Sequence, residues 1–86
     1  MIFANGDCSI TYQQSETISN EQQESVKKSF YESKNHKYLQ DILMTENTVT
    51  FLYEPISVME AHNTIEPSGI VINEVRGFLE EEGFAQ

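Results

Sequence analysis

The chain holds a single cysteine, and Cys8 alone cannot close an internal disulfide, so nothing in the sequence calls for an oxidising compartment. Four glycines and two prolines among 86 residues interrupt the chain too rarely for a low-complexity or disordered reading. No stretch approaches the roughly 18 apolar residues of a membrane helix. The opening Met1-Ile2-Phe3-Ala4-Asn5-Gly6-Asp7 has neither the basic flank nor the apolar core of a signal peptide. These absences predict a cytoplasmic protein that does not use a membrane. Positive charge is scarcest: five Lys and Arg against fourteen Asp and Glu leave a net charge of −9, which repels phosphate backbones and anionic lipid and argues against nucleic acid as a partner.

What is present is enough for one modest core. Size scaling buries roughly 64% of the unfolded chain's surface at this length, too little to divide between two cores, so residues 1–86 read as a single domain. From Cys8 to Tyr12 the residues alternate, with Cys8, Ile10 and Tyr12 on one side and Ser9 and Thr11 on the other, the pattern of a half-buried strand. Ser19 and Gln22 have the spacing of a capping box, which predicts a helix from there to about Ser33 or Asn35. Val26 and Phe30 share its inner face, and Glu24 and Lys28 are spaced to pair on the outer one. Tyr38 to Met44 is a second apolar run of strand length whose alternation is imperfect. After the polar Thr45-Glu46-Asn47 comes Thr48 to Tyr53, β-branched and aromatic, with Val49, Phe51 and Tyr53 facing one way. A hairpin across Glu46 and Asn47 joins the two, and Pro55, lacking an amide hydrogen, ends the pairing.

Between Ile56 and Pro67 the pattern is weak: Ser57 to Ala61 suit a helical turn and His62-Asn63-Thr64 a loop. Ser68 reads as the N-cap of a last helix carrying Val71, Val75, Phe78 and Leu79 inward, with Gly83 as its stop and a fraying tail. The order β-α-β-β-α predicts an α+β fold, a small mixed sheet of three to four strands with two helices on one face. The expected architecture is a ferredoxin-like open sandwich in which the strands flanking the first helix pair in parallel.

No glycine-rich phosphate loop, paired-carboxylate signature or Ser/His/Asp arrangement is visible, so no cofactor and no catalytic residue is assigned. Cys8 has no base at a recognisable spacing, the histidines lying at His36 and His62, and it reads as a small core residue. His62 with Glu60 and Glu66 holds metal-capable groups but lacks a zinc or iron spacing, and it reads as a solvated loop. The run Glu80-Glu81-Glu82, with the net charge, admits one alternative: a small acidic inhibitor or nucleic-acid mimic that binds another protein. An exposed edge strand would offer a second copy of the chain a place to pair.

Gly6-Asp7-Cys8-Ser9-Ile10, Ile18-Ser19 opening a polar helix through Val26, Tyr38-Leu39-Gln40-Asp41-Ile42-Leu43, and Asn47 through Tyr53-Glu54-Pro55 occur in an order and at spacings that resemble the N-terminal domain of the KipI-like family. That family includes one of the subunits of 5-oxoprolinase and proteins described as allophanate hydrolase subunit 1. The resemblance covers about residues 3 to 58, with Gly6, Asp7 and Asn47 matching turn and strand-end positions. Two departures are visible. Leu43-Met44-Thr45 stands where the family has a proline, and 60–67 looks inserted. The cyclophilin-like half that carries much of the family's substrate pocket is not in the sequence, so no catalytic residue is carried over. The resemblance implies a non-catalytic accessory or interaction domain whose protein partner is a second, carboxyltransferase-type subunit of an ATP-dependent 5-oxoprolinase-type hydrolase.

Overall fold

In the computed structural model, which describes residues 1–33 and 37–84, the chain runs β1 (Ile2–Ala4), β2 (Ser9–Gln13), α1 (Asn20–Glu32), β3 (Leu39–Met44), β4 (Thr48–Tyr53), α2 (Pro55–His62) and α3 (Ser68–Glu81). The four strands form one sheet in the order β1-β2-β4-β3. The α+β class therefore holds, with three helices instead of two. Every pairing is antiparallel, which corrects the expected mixed sheet. The reason lies in the hairpin. The short turn at Thr45–Asn47 forces β4 against β3, and β4 then takes the place beside β2, so the two strands flanking α1 run the same way without touching. This is a split βαβ arrangement, consistent with a ferredoxin-like sandwich whose outer strand comes from the N-terminus.

β1 had no counterpart in the pattern of the sequence. It pairs Ile2 with Tyr12 and Ala4 with Ile10, across a turn in which Gly6 adopts a left-handed φ of 90°. With a strand on either side, β2 is buried along its length: Ile10 and Tyr12 point to the helices, and Ser9 and Thr11, on the opposite face, are flanked by the side chains of β1 and β4. Thr11 Oγ1 and Thr50 Oγ1 share a hydrogen bond of 3.0 Å across the strands. Cys8, expected in the core, is exposed because the strand begins one residue later and leaves it at the sheet's end. The imperfect alternation of 38–44 has a physical source in a β-bulge between Leu39 and Asp41, which lets Leu39, Ile42 and Met44 share the helix side.

Ser19 caps α1, its hydroxyl accepting from the Gln22 amide at 3.1 Å, while Gln23 Nε2 donates to the Ile18 carbonyl at 3.0 Å. On its outer face Lys28 pairs with Glu32, at 4.0 Å, in place of the expected Glu24. Ser33 is the C-cap, and the alternative end at Asn35, with His36, lies outside the described residues. Glu54 caps α2 by accepting from the Ile56 amide at 3.0 Å, Pro55 fills the first turn, and Asn63 closes the helix in the left-handed region. His62, read as loop, is thus the last residue of a two-turn helix. α3 starts at Ser68, but Pro67 is its N-cap, its carbonyl accepting from the Ile70 and Val71 amides at 3.1 and 3.2 Å. At the other end Gly83 turns at φ 87°, and the Phe84 amide bonds the Leu79 carbonyl at 3.0 Å. Phe84 is buried edge-on against Tyr12, 5.5 Å between ring centres, so the chain docks through residue 84 where a fraying tail was expected.

α1 and α3 lie on the same side of the sheet. Phe30, Phe51 and Phe78, one from each of α1, β4 and α3, form a triangle with ring centres 5.7 to 6.1 Å apart. Val26, Val49, Val58, Val71, Val75 and Leu79 complete the core around it.

Candidate functional site

Beyond the C-terminal end of β4, four separate pieces of chain line an open cleft of about 500 Å³. The β1–β2 turn brings Gly6 and Asp7, the end of β4 brings Tyr53, the first turn of α2 brings Pro55 and Met59, and the connection from α2 to α3 brings Ile65 through Ser68. Local chemistry shapes each wall. The positive φ of Gly6 swings the turn over, the left-handed Asn63 ends α2, and the Glu66 amide donates to Thr64 Oγ1 at 3.1 Å to set up Pro67. Apolar and polar groups share the lining nearly evenly, and Asp7 and Glu66 are its exposed carboxylates.

Tyr53 is the buried polar member. It is 3% exposed, and its backbone amide donates to the Cys8 carbonyl at 2.9 Å. Its hydroxyl has no hydrogen-bond partner among the described residues. Burial pushes the phenol above its ordinary pKa, and the charges of Cys8 and Asp7 push the same way, so the group is neutral across the physiological range. The cleft contains no nucleophile paired with a base.

A second polar group lies where β3 begins. Tyr38 Oη and His62 Nε2 are 2.5 Å apart with their rings edge to face, and the Tyr38 amide reaches the Glu74 carboxylate at 3.2 and 3.3 Å. The Lys37 ammonium stands 5.5 Å from the centre of the Tyr38 ring. This cluster ties β3 to α2 and α3, and it gives His62 an aromatic partner in place of the acidic neighbours Glu60 and Glu66. Among the described residues, no three metal-capable side chains converge, and no helix is long and apolar enough to cross a membrane.

The third feature is the face of the sheet that the helices leave bare. Alternation and register put Phe3, Thr11, Thr50, Leu52 and Leu43 on it, with Asp41 towards one margin. Leu43 is 55% exposed, and Phe3 and Leu52 are half-buried. The β3 edge beside it is partly closed, since Asp41 Oδ1 accepts from the Ile42 amide at 2.8 Å and from the Tyr31 hydroxyl at 2.5 Å. The hydrogen bond from Tyr31 holds the Asp41 carboxyl below its ordinary pKa, helped by the Ile42 amide.

Of the residues singled out from sequence, Gly6 and Asp7 meet Tyr53 and Pro55 in the cleft, although they lie at opposite ends of the stretch that carried the resemblance. Asn47 sits in the β3–β4 turn, Cys8 beside the cleft, and Glu80 and Glu81 in the last turn of α3 with Glu82 as its cap. Glu66, weighed in the sequence only as a metal-capable neighbour of His62, lines the cleft instead, while Met59 and Ile65 were not foreseen as members of a site, and the sequence signal for them is an apolar residue between polar neighbours at Ile65. Comparison of the chain with protein-family models, with curated proteins and with solved structures returns no match.

Proposed function

We propose that the chain is a non-catalytic interaction domain of the KipI-like, 5-oxoprolinase accessory-subunit type, which binds a carboxyltransferase-type second subunit through the helix-free face of its sheet. The observation that carries this reading is the composition of that face. In a chain of net charge −9 it holds Phe3, Leu43 and Leu52 among threonines with one carboxylate at the margin. A sheet face with uncovered apolar residues and little charge suits a protein partner, since interface cores are depleted in charged residues. The meeting of Gly6-Asp7 with Tyr53 and Pro55 in one cleft adds support, because it gives two distant pieces of the resemblance a common place. The bulge and Asp41 on the β3 edge, together with the shortness of β1, favour docking on the face over strand addition by a second copy.

The test is capture from an extract of the protein's own cells, with the retained proteins identified by mass. Retention of a carboxyltransferase-type subunit by the native chain, and its loss with Leu43→Asp, is the expected result. Failure to retain such a subunit, or equal retention by the variant, overturns the reading. The acidic-mimic alternative differs in salt response. Many charge contacts make binding fall steeply with ionic strength, whereas an apolar contact is held across the same range. The carboxylates themselves are spread along the chain, over all three helices, β3 and the segments between, and not gathered in one stretch.

A further inference from the structure

We propose that the cleft between the β1–β2 turn and the start of α3 is a receptor for an arginine side chain, held by the exposed carboxylates of Asp7 and Glu66 and by the Tyr53 hydroxyl. The inference rests on the reading of the chain as a partner-binding domain and names the chemical group that the partner inserts.

Three independent features converge on that group. The first is the orphaned phenol. Folded proteins rarely leave a buried hydroxyl without a partner, and Tyr53 is almost wholly buried, lines the cleft and has no hydrogen bond to its oxygen or from it among the described residues. A ligand N–H directed at that oxygen restores the missing bond. The second is the sign of charge. Asp7 and Glu66 are the exposed carboxylates of the lining, no Lys or Arg lines the cleft, and the whole chain is acidic. The opposing influence is the N-terminus of α3, where Pro67 supplies no side-chain cap. A helix end carries about half a positive charge, against two full carboxylates, and Glu66 immediately before the cap already complements it. A cation is therefore preferred over an anion.

The third feature is shape and polarity. Pro55, Met59 and Ile65 provide apolar surface along which an aliphatic stem can lie while its charged head remains near the carboxylates. The volume of about 500 Å³ falls in the range of pockets that take small ligands, roughly 300–1,000 Å³. Arginine fits this set better than lysine. Its planar guanidinium offers five N–H donors in a fixed fork, enough for a carboxylate and a phenol oxygen together, and it is less strongly hydrated. Tyr53 stays neutral near pH 7 and thus presents acceptor lone pairs instead of a competing charge.

The probe is N-acetyl-arginine N-methylamide, titrated into the full ¹⁵N-labelled chain and followed by amide shifts, with the norleucine and glutamate analogues as controls. The arginine probe is expected to shift Gly6, Asp7, Tyr53 and Ser68, and the norleucine and glutamate probes to leave them in place. Asp7→Asn and Glu66→Gln should each weaken the arginine probe about three- to fivefold, the scale of one exposed ion pair, and Tyr53→Phe should weaken it further than a distant control such as Ser25→Ala. The proposal is overturned if the cleft amides do not move, if norleucine or glutamate moves them equally, or if the Asp7→Asn/Glu66→Gln double variant, with its amide fingerprint otherwise intact, binds arginine as the native chain does. The titration needs no partner, so its failure is distinct from a failure of partner capture.

Discussion

The two faces of this sheet are made by the same strands and live in different environments. Along β4, Val49, Phe51 and Tyr53 are buried beneath α1 and α3, while Thr48, Thr50 and Leu52 between them stay half-open on the other side. One face is filled by three interlocking phenyl rings; the other holds a threonine pair flanked by the exposed Leu43 and the half-buried Leu52. The contrast teaches a division of labour. Burial is concentrated on the covered side, and the bare side is the one proposed above for contact.

The sharpest way to break this comparison is to truncate one residue on each side. Phe51 is completely buried as one corner of the aromatic triangle, so Phe51→Ala should cost about 3–5 kcal/mol by cavity formation. Leu43→Ala on the bare face should stay within about 0.5 kcal/mol, the usual range for surface changes. Urea unfolding of the two variants decides it, and comparable losses would mean that the bare face also carries the fold. Thr50→Val probes a polar contact between strands on the bare face. It removes the hydroxyl that Thr11 Oγ1 meets at 3.0 Å, and because Thr11 is buried the loss should be about 1 kcal/mol in the same measurement.

Gly77→Ala sharpens the comparison from the opposite direction. Gly77 is exposed within α3, its backbone is ordinary, and a Cβ there meets nothing within 4 Å. The substitution should raise stability by about 0.8–1 kcal/mol through helix propensity, and partner capture should not change, since α3 backs the covered side. The smallest expected effect is on pH. The Asp41 carboxyl is depressed below its unfolded value of 3.8 by the Tyr31 hydroxyl and the Ile42 amide. A depressed carboxyl contributes stability that is present above the unfolded pKa and is lost as pH falls through the folded one, so this contribution begins to fall near pH 3.8 and is gone only below the depressed folded value. Tyr31→Phe should move the carbon-detected titration of Asp41 upward, and an unchanged titration would remove Tyr31 as the cause.

The elements that were legible in sequence are those with local signals. Ser19 announces the start of α1, Val26 and Phe30 its inner face, Thr48 to Tyr53 the strongest strand, and Val71, Val75, Phe78 and Leu79 the stripe of α3. What escaped was non-local. Ile2–Ala4 is too short to show alternation and becomes a strand only by pairing with β2, and that same pairing turns Thr11 from a surface residue into a buried one. The antiparallel order could not be read because nothing within β2 or β3 records that β4 lies between them. The last helix was read one residue late at its cap, since Ser68 has the favoured cap chemistry while Pro67 has the geometry. The cleft was least legible of all: Asp7, Tyr53 and Glu66 are ordinary residues separately and acquire meaning only when the fold brings them together.

The most direct test of the bare face as the contact surface is methyl NMR of the native chain as a purified carboxyltransferase-type second subunit is added. Resonances of Leu43 and Leu52 should broaden or shift while those of Val49, Val71 and Val75, buried beneath the helices, stay in place. Changes confined to residues on the outer surfaces of α1 and α3, with Leu43 and Leu52 unmoved, would contradict it.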